Sequence, residues 1–530
     1  MIRMILRPRQ AQLIGTLIAG VMLVPFLAAA ADPVRIDSGP IEGVVLNPES
    51  GLRVYRGIPF AQPPVGELRW KAPQRVEGWE DVRTCSEFGA ACPQPNTLSQ
   101  MMGETLPELS EDCLYLNVWT AAKDPGEKLP VMVWIHGGGL TLGWGHQKGY
   151  EGSAFAERGV VLVTINYRLG PFGFLAHPEL SKESELGVSG NYGFLDQIAA
   201  LEWVQRNIES FGGDPDNVLI FGESAGGTSV NALCASPLSE GLFHSAIAES
   251  AWITESNFAF LTKSGPFVPS AEDLGVQWAE NVLGGMPDGN ALAALRAVSA
   301  EEVLAKSGPF YQVAATVDGW FLPDLTETVF AEGQQRDIPM IVGTNKDEGT
   351  MFAPLMPFAS PEEFQANARA LYGSHADAVL SLYPLTGKED LASAKNQLIT
   401  DSWFVRGTRG MLAGMEKVSS NAYQYHFTRR AKLPPAWGAH HAYELGYVFN
   451  NLGPTQQEDL DKELSEAMIQ YWVQFAKTGD PNVDGLPAWP VYTIEEDQYL
   501  ELGDEIRVGT SLRKEASDVI GRAVDAAYGR

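Results

Sequence analysis

The chain has 530 residues, 45% of them hydrophobic, which is ample for a large buried core. Its formal net charge is −28, so nucleic acid and anionic lipid surfaces repel it, and neither is an expected partner. No repeat, low-complexity tract or Pro/Ser-rich hinge divides the sequence.

The N-terminus reads as an export signal. Arg3, Arg7 and Arg9 form a basic region, Leu13 to Leu27 an apolar one, and Ala28-Ala29-Ala30-Ala31 offers small-residue cleavage before Ala31 or Asp32. A cleaved signal peptide at residues 1–31 fits this pattern better than a transmembrane helix and predicts a secreted or periplasmic protein. Its removal takes away three arginines and no acids, leaving a charge of −31. No cysteine follows the apolar run and no hydrophobic tail closes the chain, so no stable membrane anchor is expected. Export permits disulfides among Cys85, Cys92, Cys113 and Cys234, which allow three full pairings.

Val131-Met132-Val133-Trp134-Ile135 is apolar at every position, the pattern of a strand buried on both faces of a parallel sheet. It runs into His136-Gly137-Gly138-Gly139, where successive glycines let backbone N–H groups approach a substrate, the chemistry of an oxyanion hole. Val160–Ile165 is a second buried strand. From Leu195, apolar residues continue through Val204 and Ile208 with helical spacing and stop at Gly212-Gly213. Val218–Phe221 is a third strand, leading into Gly222-Glu223-Ser224-Ala225-Gly226 and then a helix-compatible segment from Thr228 to Ala235. G-x-S-x-G alone is a weak signal. Between a strand and a helix it is a nucleophile elbow that pushes the serine hydroxyl out of the fold, with the Ala225 N–H free at the helix N-terminus.

Residues from about Trp252 to Gln334 lose the strand–helix rhythm and read as a cap over the site. Trp252, Phe258 and Phe260 are either acyl-pocket linings or plain packing. Met340–Val342 is a further buried strand delivering Thr344-Asn345-Lys346-Asp347-Glu348-Gly349 at its C-terminal end, where open α/β sheets keep their sites. Asp347 or Glu348 is the candidate acid. Of eight histidines, His375, His426, His440 and His441 come after it, as the order Ser, acid, His requires. His426 alternates within a strand pattern and His375 sits in a polar helical stretch, whereas His440 and His441 lie on a loop. Leu460, Leu464, Met468, Tyr471, Trp472 and Phe475 line one face of a late helix as core. Alternating strands and helices predict an α/β fold with a doubly wound, mostly parallel sheet and helical cap insertions.

Several stretches together resemble the type-B carboxylesterases, the family of cholinesterases, liver carboxylesterases and bacterial para-nitrobenzyl esterases. They are Arg56-Gly57-Ile58-Pro59-Phe60-Ala61-Gln62-Pro63-Pro64-Val65-Gly66, Ser110-Glu111-Asp112-Cys113-Leu114-Tyr115-Leu116-Asn117-Val118, the elbow, Gly190-Asn191-Tyr192-Gly193-Phe194-Leu195-Asp196-Gln197, and Ala476-Lys477-Thr478-Gly479-Asp480-Pro481-Asn482. The resemblance implies an α/β-hydrolase fold with one domain over residues 32–530. It implies a secreted serine esterase that cleaves small-molecule carboxylic esters through an acyl-enzyme. Ser224, Glu348 and His441 would form the triad, and Gly138, Gly139 and Ala225 the oxyanion hole. His441 is chosen because Glu444 completes H-x-x-E; the family usually has glycine where this chain has Ala442, which keeps His440 as an alternative. The resemblance also implies a Cys92–Cys113 disulfide and two ion pairs, Arg69 with Glu111 and Arg168 with Asp196. No metal or organic cofactor is expected, since no H-E-x-x-H or C-x-x-C pattern is present.

Three rival functions fit the residues less well. Adhesion members of this fold lack the serine, which this chain keeps. Cholinesterases hold a quaternary ammonium partly on an aromatic ring in the disulfide loop, and residues 93–112 contain no Trp, Tyr or Phe. A lipase would need a lid that opens at an interface.

Overall fold

The computed structural model describes residues 30–254, 256–285, 290–307, 315–430 and 437–529; the expected signal peptide, residues 1–31, lies almost wholly outside them. An eleven-stranded sheet organises the molecule. In chain order its strands are β1 (Val44–Asn47), β2 (Leu52–Pro59), β3 (Tyr115–Thr120), β4 (Leu129–Ile135), β5 (Val161–Ile165), β6 (Gly213–Glu223), β7 (Ser245–Glu249), β8 (Met340–Asn345), β9 (Ala422–Phe427), β10 (Gln498–Leu502) and β11 (Ile506–Thr510). In space they run β11-β10-β9-β8-β7-β6-β4-β5-β3-β2-β1. Pairings from β5 through β4 and β6 to β10 are parallel, and both edges are antiparallel. The expected mostly parallel sheet is thus present, and every apolar run read as a strand lies in it.

The all-apolar strands result from burial on both faces. Along β4, Val131, Val133 and Ile135 enter one core cluster while Met132 and Trp134 enter the other. Helix α1 (Tyr192–Asn207) and helix α2 (Ala225–Ala235) cover the first face with Leu201, Val204, Val230 and Leu233. Helix α3 (Asp459–Thr478) covers the second with Leu464, Met468, Tyr471, Trp472 and Phe475. Between β7 and β8 the cap carries short helices at Ala271–Leu283, Ala291–Ala297 and Ala300–Ser307 and a two-stranded sheet pairing Phe258–Phe260 with Ala315–Val317. A second helical insertion, Pro361–Tyr372 through Arg406–Met415, separates β8 from β9. The sequence pattern does not delimit it, because its helices are short and broken by a π-helical turn at Thr400–Val405.

Both expected ion pairs form, and both are largely buried. Arg168 meets Asp196 through two bonds of 2.7 and 2.8 Å, with side chains 2% and 0% exposed. Arg69 pairs with Glu111 through Nε at 2.6 Å and also donates to the Val298 carbonyl at 2.7 Å, tying the N-terminal segment to the cap. Breaking such a pair strands a buried charge, so its cost on deletion exceeds that of an exposed surface pair. All four cysteines are buried thiols in the structure, so the expected Cys92–Cys113 bond is not shown. Cys92 and Cys113 nevertheless lie in side-chain contact, and the Cys92 sulfur together with burial pushes the Cys113 thiol well up. Among the described residues no helix is long and apolar enough to cross a membrane.

Candidate active site

Three parallel strands end side by side: β6 at Glu223, β7 at Glu249 and β8 at Asn345, with Glu249 in register with Glu223 on one side and Gly343 on the other. The segments just beyond these strand ends build the site. After β6 the chain turns through Ser224, whose φ of 59° and ψ of −120° lie in a region that costs a non-glycine residue energy, and α2 starts at Ala225. The turn is possible because Gly226 presses on β4: a Cβ there would sit 2.0 Å from the Ile135 carbonyl oxygen. The Ser224 N–H is bonded to the Glu249 carbonyl at 2.9 Å, and its own carbonyl accepts from the Thr228 N–H at 2.8 Å. Strand β4 delivers the glycine loop to the same place, since a Cβ on Gly137 would lie 3.0 Å from the Ser224 Cβ.

After β8, Glu348 opens a short 3-10 turn and is fully buried. One carboxylate oxygen accepts from the Ser250 hydroxyl at 2.6 Å and from the Asn345 N–H at 2.7 Å; the other contacts His441 Nδ1 at 2.6 Å. Of the two neighbouring carboxylates, Glu348 is therefore the histidine partner. Asp347 serves the loop instead: its N–H bonds the Ala439 carbonyl at 2.9 Å and its carboxylate accepts the Ala439 N–H at 3.0 Å. The same loop turns the two histidines apart. His440 Nδ1 lies 2.8 Å from the His441 carbonyl, and its ring meets Tyr443 and Trp437. The His441 ring is bracketed by Phe404 and Phe352, at 4.8 and 5.1 Å between centroids. Between Ser224 and His441 the hydrogen bond is open: Nε2 is buried without a hydrogen-bond partner, 3.1 Å from Glu223 Oε1. Hydrogen bonds of this kind are often long before substrate binds.

Of the shell behind these groups, Glu223 belongs to the elbow motif and Glu444 to H-x-x-E, whereas Glu249 lies in no motif. Glu223, Glu249 and Glu444 are buried carboxyls that surround the histidine–glutamate pair. Burial holds all three above the usual carboxylate range, Glu249 at about 8 even though the Trp472 indole, donating at 2.8 Å, pulls it back. For Glu223, the nearby Glu348 and Glu249 charges add to the rise. Asn345 donates to Glu444 and, at 2.8 Å, to the His440 carbonyl, so the acid loop and histidine loop share one hinge. The short run Ala246-Ile247-Ala248 is the only sequence signal for β7 and hence for Glu249 and Ser250. Of the suggested acyl-pocket residues, Trp252 stands by the glycine loop, 3.9 Å from a Gly139 Cβ, and 6.1 Å from the Trp403 ring. Phe258 and Phe260 pack in the cap's small sheet.

The arrangement is a buried acid–imidazole pair beside a serine on a strained turn, facing glycine-rich backbone. Comparisons with known proteins agree with it. The profile of the carboxylesterase family matches residues 30–520. The para-nitrobenzyl esterase of Bacillus subtilis (strain 168) is 39% identical over 487 residues, spanning 89% of this chain and 94% of that protein. A fumonisin B1 esterase of Sphingopyxis macrogoltabida is 36% identical over 94% of this chain and 92% of its own length, and a cocaine esterase of Homo sapiens 36% over 91% and 90%. A solved thermophilic PNB esterase superposes with a TM-score of 0.81 at 36% identity, covering 92% of this chain and 99% of its own. The chain belongs to the carboxylesterase family, with the α/β-hydrolase fold, and is a carboxylic ester hydrolase.

Proposed function

We propose that this protein is an exported serine esterase that cleaves small-molecule carboxylic esters by acyl transfer through Ser224, His441 and Glu348. The observation that carries the reading is the 2.6 Å contact of His441 Nδ1 with a fully buried Glu348, beside a serine held at positive φ. With the Nδ1 proton donated to Glu348, His441 Nε2 keeps its lone pair for the Ser224 hydroxyl proton as Oγ attacks the ester carbonyl. The carbonyl oxygen, now negative, is received by the N–H groups of Gly138, Gly139 and Ala225. His441 then gives its proton to the leaving alcohol, the ester C–O bond breaks, and the acyl group stays on Ser224. Water, deprotonated by the same nitrogen, attacks the acyl carbon; the bond to Ser224 Oγ then breaks, Nε2 returns the proton to Oγ, and the carboxylic acid leaves. Every step uses groups of the chain, water and the ester.

The test is Ser224→Ala with para-nitrophenyl acetate as substrate. The expected loss is on the order of 10⁴-fold or more at unchanged thermal stability. Turnover near that of the parent would end the mechanism. Export is tested by N-terminal sequencing of secreted or periplasmic material, which should begin at Ala31 or Asp32. Peptide mapping of that material without reduction should recover Cys92 cross-linked to Cys113, the two side chains already being in contact; a Cys85–Cys113 link would refute the pairing.

A further inference from the structure

The glycine loop that would receive the oxyanion contains three glycines at positive φ, Gly138, Gly139 and Gly143, so its own backbone has wide freedom. Donors for a transition state must nevertheless be fixed in advance. Internal bonds close the tip, where the Gly138 carbonyl accepts from the Thr141 and Leu142 N–H groups at 3.1 and 2.9 Å, and at the base His136 Nδ1 lies 2.8 Å from the Gly137 carbonyl. The base of the loop is also fixed from outside. Gln94, 2% exposed, accepts the Gly143 N–H at 2.7 Å and donates Nε2 to the Gly143 carbonyl at 2.8 Å. One side chain thus pairs both polar groups of one residue, as a neighbouring strand would. The amide is itself held, since Nε2 also reaches the Cys92 carbonyl at 3.1 Å. Gly143 in turn lies directly against the start of the loop: a Cβ there would be 2.6 Å from the Gly137 carbonyl oxygen. A displacement at Gly143 is therefore passed to Gly137 and Gly138.

We propose that Gln94 is the positioning residue of the oxyanion loop: by clamping Gly143 it sets where the Gly138 and Gly139 N–H groups point during acyl transfer. The proposal rests on the esterase reading above and adds to it a residue outside the reacting set. Loss of the clamp should lower stabilisation of the tetrahedral state while leaving ester binding nearly untouched.

The experiment compares the full-length exported protein with Gln94→Ala and Gln94→Glu, with rates expressed per active site titrated by an organophosphate. For Gln94→Ala, kcat on para-nitrophenyl acetate should fall roughly 10- to 100-fold with KM within about threefold. Gln94→Glu keeps the acceptor but turns a carboxylate towards two carbonyl oxygens, and should lose at least as much. Inhibition by an aryl trifluoromethyl ketone, whose serine adduct carries an oxyanion, should weaken in step with kcat. A residue that merely stabilises the fold would lower the melting temperature and the titratable fraction, yet leave kcat per site and inhibition of the surviving enzyme unchanged. That result, or a Gln94→Glu enzyme equal to the parent, overturns the proposal. The esterase reading fails separately, if Ser224→Ala keeps its activity.

Discussion

Ser224 is held by close packing and by main-chain bonds to Glu249 and Thr228, the glycine loop by packing and by side-chain hydrogen bonds that arrive from elsewhere. At the elbow, Gly226 lies so near the Ile135 carbonyl that no side chain fits, and β6, β4 and α2 are locked together. The loop after β4 is also closely packed, with Gly137 against the Glu223 carbonyl and Gly145 against the Ile165 carbonyl, but side-chain tethers add to that packing. It is tied by Tyr167, whose hydroxyl donates to the His136 carbonyl at 2.8 Å, by Gln94 at Gly143, and by Asn166, which accepts the Gly145 N–H at 2.8 Å. Packing is hard to shift because interiors are dense. Hydrogen-bond tethers fail one at a time, and each failure leaves a buried polar group unpaired. One side of the site should therefore respond to substitution all at once and the other in steps.

The largest expected effect separates two carboxylates on the strand-end side. Glu348→Gln should reduce kcat by about 10⁴-fold by disturbing the His441 tautomer, as loss of a triad acid does. Asp347→Asn keeps its loop contacts in shape and should stay within about tenfold of the parent. Steady-state kinetics on para-nitrophenyl acetate decides between them; equal losses would mean that both carboxylates act on the imidazole. Next, Gly226→Ala places a methyl group against main chain that cannot swing away. Activity should fall about 10²- to 10³-fold together with a clear drop in melting temperature, since overpacking costs about 1–3 kcal/mol. A stable, active Gly226→Ala enzyme would break the contrast between packed elbow and tethered loop.

A smaller effect concerns pH. Burial lifts Glu249 to about 8, so the native fold prefers its neutral acid. Its contribution to stability is complete below the ordinary carboxylate range and is lost as pH rises through about 8. Glu249→Gln keeps a neutral acceptor for the Trp472 indole and has no proton to lose. Its melting temperature relative to the parent should rise from pH 6 and level off above about pH 8, by differential scanning calorimetry; parallel curves would place the titration elsewhere. The smallest effect belongs to Ala442, directly after His441 at a φ of 63°. Ala442→Gly removes a left-handed alanine that costs about 1–2 kcal/mol and adds about 0.4–1 kcal/mol of unfolded-chain entropy. The net gain should be under about 2 kcal/mol in chemical denaturation, with kcat within twofold.

Much of the fold is legible in the sequence for a physical reason. Strands buried on both faces leave no polar residues in the run, and an elbow or an acid after such a run must sit at the sheet's C-terminal edge. Ser224, the Asp347–Glu348 pair and the glycine loop are visible on that basis, while the choice of Glu348 needs the family pattern. Choosing His441 over His440 needs the family pattern, because adjacent loop residues have no periodicity to separate them. Gln94, Asn166 and Ser250 are invisible. Each acts through a contact across 49, 21 and 98 positions respectively, and nothing local marks a glutamine that pairs with a distant glycine. Asp347 reads in the sequence as a possible histidine partner. The structure gives it to the loop backbone, a role that one-residue spacing cannot reveal.

The indole of Trp472 reaches back 223 positions to Glu249, and His441 reaches back 93 to Glu348. Synthesis releases the chain from its N-terminus, so the elbow and glycine loop emerge hundreds of residues before the base that uses them. On the proposed mechanism, a nascent chain lacking residue 441 has a nucleophile but no base to deprotonate it, and one lacking α3 misses much of the cover on the second face of its sheet. On that mechanism, hydrolytic competence waits for residue 441, so the long sequence separation that slows folding also delays activity.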